Sequence, residues 1–160
     1  MKKLILTLSI ILIGINFANS QTKPLKSISQ FNGNVMNYLK YNVDERADYY
    51  KGKTVAELLK DIDIAPIGFH GWYVDSGTIG IQLYFKNYDE KTYSELADDY
   101  INIFFEKIIP RNEYHIIRKE YPTEIWVPQH YDFFKDRIIR RVEFNYYKEG
   151  YLRRRNLPNK

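Results

Sequence analysis

Catalysis would have to come from a short list of side chains. The chain holds three histidines, His70, His115 and His130, and no cysteine. A catalytic zinc needs three ligands that converge while a fourth position stays open. These histidines fall on one expected strand and two separate expected helices, without an HExxH-like spacing, so each reads as a surface or internally satisfied imidazole and no metal is expected. Without thiols there is no thiolate nucleophile, no zinc–sulfur site and no disulfide to staple the fold. Asp89, Glu90, Glu95, Asp98 and Asp99 make an acidic stretch. It lacks the ligand spacing and central glycine of a calcium loop and reads as solvated. Glu106, Glu113, Glu120 and Glu124 could supply a glycosidase pair only if two stood at a set separation across a cleft. Ser76 lies in Asp75-Ser76-Gly77, which is turn chemistry, and no GxSxG run is present. No catalytic residue is therefore assigned and no cofactor is expected. A small hydrolase is kept as an outside option.

Binding chemistry is better represented. Aromatic residues make up 16% of the chain, with 15 tyrosines. Tyrosine suits half-buried positions, and AT-rich coding would also favour it; the functional alternative is an aromatic recognition surface. Strand alternation sorts these rings by face. If Ile79, Ile81, Leu83, Phe85, Ile101, Ile103, Phe105, Val142, Phe144 and Tyr146 point toward helices, the other face carries His70, Trp72, Gln82, Tyr84, Asn102, Phe104, Arg141, Glu143 and Tyr147. Rings interleaved with hydrogen-bonding groups on a flat sheet suit a protein partner or a glycan. The competing expectation is that the first helix or the leader covers this face. A basic patch is the second candidate, built from Arg137, Arg140, Arg153, Arg154 and Arg155 with Arg141 and Lys148 nearby. Its partners would be anionic envelope polymers, lipid head groups or an acidic protein; otherwise it is a solvated strand and tail.

The elements that would position these groups can be read from period and punctuation. Val35, Met36, Leu39 and Val43 approach helical spacing, with Asn34 as a cap. Thr54-Val55-Ala56-Glu57 is a capping box, and Val55, Leu58, Leu59 and Ile62 follow as one apolar stripe. Ile64–Val74 and Thr78–Lys86 read as a hairpin about Asp75-Ser76-Gly77. Tyr100–Ile109 can be read as helix or strand; its β-branched content and Pro110 favour strand. Arg111–Tyr121 reads as a helix. So does the segment after Pro128, with Tyr131, Phe134 and Ile138 on its apolar face. A last strand covers Val142–Tyr146. A turn of helix is expected at Ser94–Ala97. This order predicts an α+β fold with a four-stranded, mostly antiparallel sheet packed on one face by helices.

Gly52-Lys53-Thr54-Val55-Ala56-Glu57-Leu58-Leu59 resembles the helix opening of PASTA modules. That resemblance implies affinity for cell-wall fragments. It spans eight residues, and the proline and later glycine of the family's pattern are not in place. A capped amphipathic helix produces the same letters.

The amino terminus sets the address. Lys2 and Lys3 precede an apolar run from Leu4 to Phe17, and Ala18-Asn19-Ser20 offers small residues for a signal peptidase cutting before Gln21. The run is shorter than the about 20 residues that a membrane span needs. The expected organisation is a signal peptide at 1–20, a flexible leader at 21–30, one domain at 31–148 and a basic flexible tail at 149–160. With no cysteine at the cut, lipoprotein processing is not expected. The chain carries +4; losing Lys2 and Lys3, with no acid in the segment, leaves +2. Such a balance does not call for nucleic acid. The expected function is thus an exported, non-enzymatic binding protein, periplasmic or secreted, without an integral membrane span after cleavage. Its partner would be another envelope or secreted protein that it assists, inhibits or neutralises, as an immunity protein does; the alternative is a glycan or cell-wall binder using sheet-face aromatics.

Overall fold

The computed structural model describes residues 23–85, 100–123 and 125–145. Outside them lie residues 1–20, expected to be a signal segment, the acidic stretch with its expected turn at Ser94–Ala97, Glu124, Tyr146, Tyr147, Lys148 and Arg153, Arg154 and Arg155. The fold is α+β, as the patterning predicts.

Strands β1 (Gly68–Val74), β2 (Gly77–Tyr84), β3 (Tyr100–Pro110) and β4 (Ile139–Asn145) form one antiparallel sheet in the order β1-β2-β3-β4. The β1–β2 turn needs only Asp75 and Ser76 because Gly77 adopts a φ of +148°, where a side chain would also run into the Ile109 carbonyl. Pro110 closes β3 and becomes the N-cap of the following helix.

Helix α1 (Val35–Leu39) starts where the Asn34 side chain accepts the Asn37 amide at 2.9 Å. It runs on as a π-helical turn, Lys40–Asp44, that buries Asn42 and Val43. A short helix, α2 (Ala47–Tyr50), leads to α3 (Val55–Asp61). The capping box forms as expected: Thr54 Oγ1 accepts from the Glu57 amide at 3.2 Å, and Glu57 Oε2 accepts from the Thr54 amide at 2.8 Å. Helices α4 (Arg111–Glu120) and α5 (Pro128–Phe134) sit between β3 and β4, with Pro128 in the first turn of α5.

One core unites the inner sheet face with the helices. Phe69, Ile81, Leu83, Ile101, Ile103, Phe105 and Val142 meet Leu58, Tyr114, Ile117 and Phe134. Phe134 is its aromatic centre, with ring centroids 5.3 Å from Phe69, 6.0 Å from Phe105 and 4.9 Å from Phe133. The π-helical turn and α2 pack beside β4. There the Gly52 amide donates to Ile139 O and the Ile139 amide to Lys53 O, both at 2.8 Å. Beyond β1, the Phe69 amide donates to Thr123 O at 2.8 Å and the Trp126 amide to Ile67 O at 2.6 Å.

Four details depart from the sequence reading. Thr78, not Ile79, turns inward: a bulge opposite Trp72/Tyr73 leaves Ile79 over and half-buried, and Thr78 is only 1% exposed. In α5 the inward pair is His130 and Phe134, while Tyr131 lies outside. The turn Ile28–Phe31 and α2 have no counterpart in the expected order. Within the stretch expected as leader, the Lys26 amide donates to Asn42 Oδ1 at 3.0 Å and Asn42 Nδ2 donates to Lys26 O at 2.7 Å. Among the described residues no helix is long and apolar enough to cross a membrane.

Candidate functional site

Antiparallel register brings the expected sheet-face residues into rows. Trp72, Gly80, Phe104 and Arg141 lie side by side across the four strands, and His70, Gln82, Asn102 and Glu143 form the adjacent row. Tyr84 and Tyr100 follow in the next. Every described member of the predicted set therefore shares the face turned away from the core; Tyr147 lies outside the described residues.

The first row has a definite geometry. Gly80 bears no side chain between Trp72 and Phe104, and a Cβ there would strike the Ile103 carbonyl. The two rings consequently approach over it, with centroids 6.4 Å apart and planes inclined by 29°. The Arg141 guanidinium lies 4.4 Å from the Phe104 centroid, and its Nε meets Glu143 Oε1 at 3.0 Å. Trp72 Nε1 donates to Asn102 Oδ1 at 3.0 Å. Asn102 is itself buried, so the indole is anchored from beneath while 40% of Trp72 stays exposed.

These contacts are individually modest. An exposed cation–π contact contributes about 0.5–1 kcal/mol, and an exposed ion pair contributes about 0–1 kcal/mol. Their combined effect is to hold ring and guanidinium in one arrangement. The second row adds polar groups: His70 is exposed, and Gln82 Oε1 accepts the Tyr84 hydroxyl at 3.2 Å. The surface offers a bared indole, a half-buried phenyl ring, one cation and one carboxylate. It can stack, donate and accept.

The basic residues do not share a setting. Arg137 pairs with Glu113 and lies 5.3 Å over the Phe133 ring. Arg140 is the extra residue of a bulge opposite Phe104/Phe105 and borders a cleft of about 320 Å³ with Asp48, Lys51 and Arg141. Sequence reasoning groups them by proximity along the chain; Arg137 precedes β4, Arg140 lies within it, and Arg153, Arg154 and Arg155 lie outside the described residues.

The histidines are likewise dispersed. His70 and His115 are exposed, whereas His130 is fully buried. No three His, Asp or Glu side chains gather as a metal site among the described residues. Of the four glutamates considered for hydrolysis, Glu113 is engaged by Arg137, Glu106 and Glu120 are exposed, and Glu124 lies outside the described residues. Gly80 and Asn102 are the two positions whose importance sequence reading understates. A glycine amid alternating β-formers is the signal for the first; nothing local singles out the anchoring role of the second.

No family model matches the chain, and no curated protein or solved structure shows significant similarity to it. The run Gly52–Leu59, which resembles a PASTA helix opening, is the capped start of α3, with Val55 and Leu58 buried in the core.

Proposed function

We propose that this chain is an exported, non-enzymatic binding protein of the cell envelope. It engages another protein through the open sheet face centred on Trp72. The observation that carries this reading is the row Trp72–Gly80–Phe104–Arg141, where an exposed indole is fixed by a buried asparagine and stacked with a phenyl ring that a guanidinium overlies. Tryptophan, tyrosine and arginine dominate the energetic centres of protein interfaces, and pre-positioned side chains lower the entropy cost of docking. The amino-terminal signal pattern supports export.

A glycan is the second reading. The exposed indole shares its sheet face with Gln82 on the next strand and with Arg141 and Glu143 on β4, an arrangement that suits stacking on a sugar ring together with hydrogen bonds to the hydroxyls of an extended glycan.

The test is capture of partners from an envelope fraction by the wild-type protein and by Trp72→Ala, with purified peptidoglycan sedimentation in parallel. Loss of the tryptophan is expected to weaken the captured complex by about 2 kcal/mol, roughly thirtyfold; because it also deprives the buried Asn102 of its donor, capture is compared at a temperature where the unfolding midpoint shows both proteins fully folded. Unchanged capture and unchanged sedimentation would remove the face from consideration. Loss confined to peptidoglycan would select the glycan.

A further inference from the structure

We infer that a second surface, independent of the Trp72 face, binds a phosphate group, free or carried on a small organic molecule. It is the cleft of about 240 Å³ between the tip of the β1–β2 hairpin and helix α4. Its helix wall presents Arg111, His115 and Arg118, spaced i, i+4 and i+7 along one face. Its hairpin wall presents Tyr73 and Thr78.

Four observations converge on an oxyanion. Neither Arg111 nor Arg118 forms an ion pair among the described residues, and the acid in the first turn of α4, Glu113, is held by Arg137. Among the described residues, two permanent positive charges therefore face a concave space without a carboxylate partner. Helix α4 also begins at Pro110, which supplies no side-chain cap, so the positive end of its dipole and its first amides are left for another acceptor. The third observation comes from the opposite wall. Thr78 is 1% exposed, yet among the described residues its hydroxyl has no hydrogen-bond partner. Buried hydroxyls are ordinarily satisfied, and a ligand oxygen is the missing partner that a lined cleft can supply. Finally, the hydroxyls of Tyr73 and Tyr114 meet at 3.1 Å against the space left by Gly71, where a Cβ would lie 2.6 Å from the Tyr114 hydroxyl. This pair gives the cleft a firm aromatic wall beside the cations.

Guanidinium groups match phosphate geometry through paired N–H donors. Such a cleft, bordered by a tyrosine ring, has room for a small organic group attached to the phosphate. It shares no residue with the sheet face, so the two proposals can fail separately.

The experiment is amide NMR of the full mature chain titrated at fixed ionic strength with inorganic phosphate, with phenyl phosphate, and with sodium chloride as control. Saturable shifts are expected at Thr78, Arg111, His115 and Arg118 with both phosphates, and Arg111→Gln/Arg118→Gln should weaken the affinity at least tenfold. Lys119→Gln, outside the cleft, should leave it unchanged. Tighter binding of phenyl phosphate would identify a phosphomonoester ligand, and equal binding would identify the phosphate group alone. Linear shifts spread over all basic residues, or equal affinity in the double variant, would overturn the assignment. Unfolding midpoints of both variants confirm that an altered affinity does not reflect a lost fold.

Discussion

His130 shows how a single position acquires a property that its letter does not disclose. The ring is fully buried among Phe69, Tyr121 and Trp126, at centroid distances of 4.6, 5.9 and 5.9 Å. Nδ1 accepts the Val127 amide at 3.3 Å, which places the remaining proton on Nε2, and among the described residues Nε2 has no hydrogen-bond partner. Burial pushes its pKa below the ordinary 6.5; the Ile125 and Tyr121 carbonyls pull the other way without completing a bond at Nε2. The unfolded chain therefore takes up a proton here near pH 6.5, while the folded chain resists until lower pH. Below pH 6.5 the unfolded state binds more protons, and folding stability is lost as pH falls through that window. Denaturant midpoints are expected to drop between pH 7.5 and 5.5, with a shallower dependence in His130→Phe. An identical dependence in that variant would place the titration elsewhere. The sequence assigns this histidine to a helix but not to its inner side, because the stripe Tyr131, Phe134, Ile138 is an equally good helical pattern; the Phe134 cluster decides between them.

Sheet alternation is the most legible feature at the level of elements. Side chains of a strand must alternate, so Ile81, Leu83, Ile101, Ile103 and Phe105 announce one face and Gln82, Asn102 and Phe104 the other. The Thr54 capping box and the hairpin about Asp75-Ser76 are local and equally readable. The bulges are not, because they depend on what stands on the neighbouring strand. One turns Thr78 to the buried side of the sheet in place of Ile79; another leaves Arg140 outside the ladder. Four-residue helices such as α2 are too short to print a period. Gly80 connects the sheet to the proposed surface. Gly80→Ala should cost about 1–3 kcal/mol, read from the urea midpoint, since its Cβ meets the fixed Ile103 carbonyl and, at 3.0 Å, Phe104 Cα. It should also part the Trp72 and Phe104 rings and weaken any ligand of that face. A midpoint within experimental scatter of wild type would show that β2 and β3 can separate freely at this point.

For the whole molecule, export is the reading that precedes all others. The expected product begins at Gln21. Intact mass and amino-terminal sequencing of envelope material should therefore show the loss of residues 1–20, and a cytosolic protein still carrying Met1 would reverse the functional reading. The architecture was recoverable from one chain because period, caps and turns are local. Partner identity was not, because complementarity resides half in the partner. The phosphate cleft falls between these cases. Arg111, His115 and Arg118 are spaced for one helix face, but only folding opposes them to Thr78. Finally, the margin of β1 is occupied where the segment around Thr123 and Trp126 exchanges hydrogen bonds with Ile67 and Phe69. A strand from a second copy cannot zip onto that stretch, which denies self-association one of its simplest templates in a chain that has no crosslinks to restrain it.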